Sequence, residues 1–171
     1  MIKSDKKLKE LEAILNKENS NMITATIISL RDEQPFEGAV SLLAAHYDRS
    51  KDKDVRRTIE HFMNDLKDPS VCPEVAGEIG KKWNDHTISM LVSSCWQSGL
   101  DYSAYSADIA KAYMKGDYVT AIECLTALEA IVNDISHDQR KEIINMLQSG
   151  TLKAAAEKRE LTLELISVLN G

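Results

Sequence analysis

Apolar residues recur along most of the chain at the three- and four-residue steps of an amphipathic helix. Leu8, Leu11, Ile14 and Leu15 form one stripe and predict a first helix over about 5–17. Ile23, Ile27 and Leu30 predict a second over about 21–31. Phe36, Val40, Leu43, Ala44 and Tyr47 mark a third over about 35–48, with Pro35 suited to its first turn. Val55, Ile59, Phe62, Met63 and Leu66 make the plainest stripe, over about 53–67, and the Asp68-Pro69 step stops it. A fifth helix, about 73–82, is short and weakened by Gly77 and Gly80. The sixth, about 85–98, carries Ile88, Leu91, Val92, Cys95 and Trp96. Gly99 follows where a helix end favours a left-handed residue. The seventh spans about 103–115 and ends at Gly116. The eighth, about 117–133, opens on Asp117 as N-cap, and the ninth, about 136–148, on Ser136. Thr151 opens the tenth. No segment alternates with period two, so no sheet is expected.

The stripes repeat. A shift of about 33 residues, within the range of helical repeat arrays, aligns Val55, Ile88 and Ala121 in one column, and Ile59, Val92 and Leu125 in the next. Phe62, Cys95 and Leu128 follow, then Leu66, Gly99 and Val132. A backward step of nearly the same length reaches Ile23 and Ile27, and a longer step forward reaches Leu161, Leu165 and Val168. Two helices per unit at this period predict an all-α protein. The expected architecture is an α-solenoid of about five stacked antiparallel helix pairs, forming one domain over residues 1–171. An unrelated helical bundle would also be amphipathic, but has no reason to keep that register.

Composition agrees. The chain of 171 residues has only seven glycines and three prolines, too few for the turns of an all-β fold. Aromatic residues are 5%, so the core must be aliphatic. The formal charge of −6 makes nucleic acid an unfavoured partner. The three cysteines, Cys72, Cys95 and Cys124, lack metal or redox spacing and read as buried thiols of a reducing compartment. No leader-like or membrane-spanning stretch is seen, and the expected location is the cytoplasm.

The stretch "SSCWQSGLDYSAY" (93–105) poses a choice between a reactive centre and a helical corner. The columns favour the corner. Cys95 takes the place of Phe62 and Trp96 that of Met63, so both are expected in the core. Ser103 is expected to cap the next helix. This stretch, followed by "KGDYVTAIECLTALEAI", resembles a small bacterial family of HEAT-like helical repeat proteins, over roughly residues 53–135. The family has a proline soon after its Tyr-Ser step, where this chain has Ala104. The resemblance implies an α-solenoid that binds another macromolecule. It carries over no catalytic or ligand residue.

No constellation for catalysis or metal binding is found. His46, His61, His86 and His137 form no HxxxH or HExxH, and phosphate-loop and nucleophile-elbow motifs are lacking. Cys95 has no histidine near it in sequence. Glu157 and Glu160, within "EKRE", suit ion pairs along one helix. Tyr102, Tyr105, Tyr113 and Tyr118 read as packing residues where repeats abut.

The expected function is therefore a non-enzymatic protein-interaction module or scaffold, with no cofactor and no metal. Its partner would be another protein. Two alternatives stay open: an enzyme or enzyme subunit on a HEAT-like fold, of the DNA-glycosylase or lyase kind, and a self-associating structural protein. In stacked pairs the second helices line the concave face, and residues opposite each apolar stripe point into it. The candidate face is Arg57, Glu60, His61 and Asn64; then Ser89, Met90, Ser93 and Gln97; then Thr120 and Glu123, continued by Ala127 and Ala130. Met90 is the one large apolar side chain expected on it.

Overall fold

The computed structural model describes residues 1–17, 19–151 and 156–171, with side chains of 151, 156 and 157 outside the description. The described residues form ten α-helices and no strand: α1 (Asp5–Leu15), α2 (Ser20–Ser29), α3 (Ala39–Arg49), α4 (Lys53–Asn64), α5 (Cys72–Ile79), α6 (Asp85–Gln97), α7 (Ser106–Lys115), α8 (Tyr118–Ile131), α9 (His137–Thr151) and α10 (Ala156–Asn170). Each helix packs on its sequence neighbour and on the helix two places along. The odd helices α1, α3, α5, α7 and α9 follow one another in one layer, and α2, α4, α6, α8 and α10 in another. The core lies between the layers.

Helix starts carry the period. The N-caps of α2, α4, α6 and α8 are Asn19, Asp52, Asn84 and Asp117, an evenly spaced series of Asn and Asp. Asn19 accepts from Met22 N at 3.0 Å, Asp52 from Val55 N at 3.1 Å and Asp117 from Thr120 N at 2.8 Å. Ser136 and Gln139 close a reciprocal capping box on α9, with bonds of 3.1 and 3.3 Å. Gly99 has φ +70° where α6 ends, as its position required.

The apolar columns are mostly buried. Val55, Ile59, Ile88, Val92, Cys95, Ala121, Leu125 and Leu128 all lie in the core. Phe62 and Val132 are half-buried against it. In the last set Leu165 is buried as expected, whereas Leu161 and Val168 are only half-buried and their neighbours Thr162 and Leu169 are buried instead. Tyr102 and Tyr113 are buried as packing residues. Tyr113 Oη meets Thr162 Oγ1 at 2.9 Å, while Tyr118 is exposed.

Several boundaries differ from the expected ones. The third helix begins at Ala39, not Pro35. Phe36 is instead bridged to Ile2 near the N-terminus: Ile2 N donates to Pro35 O and Glu37 N to Ile2 O, each at 3.0 Å. Gly38, at φ +90°, then turns the chain, and a Cβ there would stand 2.8 Å from Leu8 Cδ1. Glu74 of α5 supplies the cap that the local sequence lacks, accepting from Gly38 N at 3.2 Å and Ser41 N at 3.0 Å. Ser103 does not cap α7. It opens a short 3₁₀ turn instead, and its N–H donates to Asp101 Oδ1 at 2.8 Å. Thr151 is the last residue of α9, and residues 152–155, where the tenth helix was expected to open, are outside the described residues. In "EKRE", the Glu157 side chain lies outside them too. Lys158 has no ion-pair partner along its own helix among the described residues: Nζ donates to Gly116 O at 2.7 Å and lies 5.3 Å from the Tyr113 ring centroid. A cation thus meets the carbonyl end of α7.

The three thiols are buried and free. Burial pushes Cys95 well up and Cys124 up to about 12. Neither forms appreciable thiolate near neutrality. Native protein should therefore label at Cys95 and Cys124 only through opening of the fold, far more slowly than in urea. Mass-spectrometric counting of modified thiols over time measures this, and fast native labelling of Cys95 would contradict its place in the core.

Candidate functional site

The even layer presents a groove of about 430 Å³ across α4, α6 and α8. It gathers seven of the candidate residues: Glu60 and Asn64; Ser89, Met90, Ser93 and Gln97; and Glu123. Tyr47 of α3 completes it, with Asp85, His86, Asp117 and Val119 near the helix starts. These five were not in the expected face. They lie at helix starts or on the odd layer, where an apolar stripe gives no direction.

The remaining candidates fall elsewhere. Arg57 is exposed outside the groove and pairs with Asp54 at 2.9 Å. His61 is also exposed and does not line it. Thr120 is fully buried, a correction to its expected outward position, and its hydroxyl donates to Asp85 O at 3.3 Å. Ala127, on the same side of α8, is buried as well, and Ala130 is exposed. That side of α8 packs against α6, so it was never free.

Met90 and Trp96 exchange their expected places. Met90 is 5% exposed and Trp96 is 37% exposed. The reason is the width of the buried arc on α6. At about 100° per residue, Met90, Ser94, Thr87, Leu91, Cys95, Ile88 and Val92 cover about 200° of its circumference. All seven are buried. An ordinary amphipathic stripe is about half that wide. The helix is flanked by α4 and α8 and backed by α3 and α5, so its sides are covered too. Met90 stands at one edge of this arc and Trp96 just beyond the other.

Trp96 is held from α8: its indole Nε1 donates to Glu123 Oε2 at 2.9 Å. One step back along the aligned apolar columns, the corresponding residues are Met63 and Met90, both buried. The junction of α6 with α8 therefore opens a polar contact where its predecessor is apolar. Trp96→Ala should cost about 1–2 kcal/mol, against about 3–5 kcal/mol for a fully buried tryptophan. Urea titration of the variant tests this, and a loss in the higher range would mean that the indole is buried.

The groove is acidic. Glu60, Asp85, Asp117 and Glu123 line it, and no lysine or arginine does among the described residues. Tyr47 donates its hydroxyl to Glu60 and receives Arg56 Nη2 at 3.1 Å; the Arg56 guanidinium lies 4.5 Å from the Tyr47 ring centroid. Burial, chiefly, raises the Tyr47 pKa, so the phenol stays protonated as a donor. His86 faces the same ring at 5.6 Å between centroids. Asp117 is held below the usual carboxylate range by the Thr120 amide, so it is charged near neutrality. The buried Asn64 Oδ1 has no hydrogen-bond partner among the described residues.

Beside the acids lies exposed apolar surface. Tyr118, Val119 (58% exposed) and Ile122 are exposed on the first turns of α8, and Val119, one turn before Glu123, lines the groove with it. Among the described residues no group of three or more His, Cys, Asp or Glu side chains is placed to hold a metal ion, and no helix is long and apolar enough to cross a membrane. No family model, curated protein or solved structure matches the chain.

Proposed function

We propose that the chain is a HEAT-like α-solenoid of five helix pairs that acts as a non-enzymatic docking module in the bacterial cytoplasm. The groove on its even helices is the face that holds another polypeptide. The observation that carries this reading is the groove itself, where three successive even helices and Tyr47 converge, with polar side chains around the apolar Met90 and Val119. The two layers and the even spacing of the N-caps Asn19, Asp52, Asn84 and Asp117 support the repeat. The exposed apolar residues at its rim support docking, since soluble proteins seldom leave such side chains clustered without a use.

The test is whether partner capture depends on the groove. Ser93→Arg with Gln97→Arg fills it from partly exposed positions, and capture from lysate should fall at an unchanged melting temperature. Glu37→Lys with Lys111→Glu changes exposed positions outside the groove and should leave capture intact. The reading fails if the second pair abolishes capture and the first does not.

A further inference from the structure

The groove's chemistry names its occupant. Resting on the docking reading above, we infer that the partner is a basic amphipathic peptide segment, whose lysine or arginine side chains enter the acidic wall while its apolar side chains lie on the α8 ledge.

Charge complementarity carries the first half. Glu60, Asp85, Asp117 and Glu123 face one groove and none has an ion-pair partner within 4.0 Å among the described residues. Like charges gathered at one surface repel each other and raise the local affinity for cations. A neutral or acidic segment would leave that repulsion in place or add to it. A basic segment relieves it, which favours both rate and selectivity of association.

The second half rests on Trp96. Its N–H is committed to Glu123, which fixes the indole beside a carboxylate. That pairing suits a guanidinium or ammonium group, which meets the carboxylate by charge and the ring face by cation–π attraction. Val119, one turn before Glu123 on the groove lining, offers apolar surface beside that carboxylate, and Ile122 one turn on from Val119 extends it; a lysine stem or a neighbouring leucine would cover both. A bare metal cation or polyamine would use the acids but not the ledge. An acidic or neutral helix would use the ledge but not the acids.

The experiment uses the full chain labelled with ¹⁵N and three synthetic peptides of one apolar pattern, bearing lysine and arginine, glutamine, or glutamate at the polar positions. The two tryptophans provide the readout: neither lines the groove, but Trp96 donates to the lining residue Glu123 and so reports it, whereas Trp83 has no such bond and is the internal reference. The basic peptide should shift the Trp96 indole resonance and leave that of Trp83 still. Glu60→Gln with Glu123→Gln keeps the hydrogen-bond acceptors and should weaken that binding at least about tenfold. Glu12→Gln with Glu142→Gln makes the same change in net charge at exposed positions outside the groove, and should weaken it less than about twofold. Equal weakening by the two pairs would mean non-specific attraction to an acidic protein and would overturn the inference. So would a basic peptide that binds no better than the glutamine one. If the glutamine or glutamate peptide moves Trp96 and the basic one does not, the docking face stands and the partner's charge class falls. If no peptide moves Trp96, the inference falls, and the docking reading falls with it only if Ser93→Arg with Gln97→Arg also leaves capture intact.

Discussion

Met90→Asp should destabilise the fold by about 3–5 kcal/mol, the cost of a buried charge without a partner. Gln97→Asp, about 20° away on the same helix face and two turns on, should change stability by no more than about 0.5 kcal/mol. Met90 is 5% exposed, at the edge of α6 where its buried arc ends, whereas Gln97 is exposed. A carboxyl at 90 must either be desolvated as an anion or take up a proton, and both options cost free energy that the unfolded chain does not meet. For a chain of this length the difference corresponds to about 6–20 °C in melting temperature. Scanning calorimetry of the two variants side by side measures it. Melting of Met90→Asp within a degree or two of the parent would mean that the groove floor is open to water there.

That pair of residues shows where pattern reading stops. A stripe identifies which side of a helix is apolar, and it placed Val55, Ile59, Ile88, Val92, Ala121 and Leu128 in the core correctly. It does not tell how wide the covered arc is, because that depends on how many neighbours a helix has. On the amphipathic α4 the side away from the stripe holds Arg57 and His61, both exposed. On α6 and α8, in the middle of the stack, the same reasoning sends Met90, Thr120 and Ala127 outward, and all three are buried. The groove was legible where its residues stand almost opposite the stripe, as Asn64, Ser93 and Gln97 do. Tyr47 was not, since it belongs to the other layer's core stripe and only its hydroxyl reaches Glu60.

Polar contacts between pairs were illegible for a different reason. Glu74 on the start of α3 and Asp48 on the start of α6 act across 33 to 39 residues of sequence. Each satisfies helix-start N–H groups that a local cap would otherwise take. Nothing in the spacing of either carboxylate distinguishes it from an ordinary solvated acid on a helix. Lys158 is a third case: the run "EKRE" reads as self-paired, yet its lysine serves the end of α7.

Asp48 carries the most hydrogen bonds of these clasps, and its removal should show both in magnitude and in pH dependence. Asn84 N and Nδ2 donate to it at 2.9 Å each, and Thr87 Oγ1 at 2.7 Å. Asp48→Ala leaves those donors without the acceptor and should cost about 2 kcal/mol at pH 7. Burial raises the carboxyl's pKa, but the bonds from Thr87 and Asn84, with His86 nearby, outweigh it, and the folded value lies below the ordinary one. A carboxyl depressed in this way stabilises the fold above its unfolded pKa, about 3.9, and that contribution is lost as pH falls through the folded value. The variant never has it. Parent and variant should therefore differ most above the unfolded value, and the gap should narrow as pH falls through the folded one. Asp52, Asp68, Asp101 and Asp117 are depressed too, but they titrate alike in both proteins and drop out of the difference. Urea titrations of the two proteins across that range give the curve. A gap that stays constant from pH 7 to pH 3 would mean that side-chain packing, not the charged clasp on Asn84 and Thr87, accounts for what Asp48 contributes.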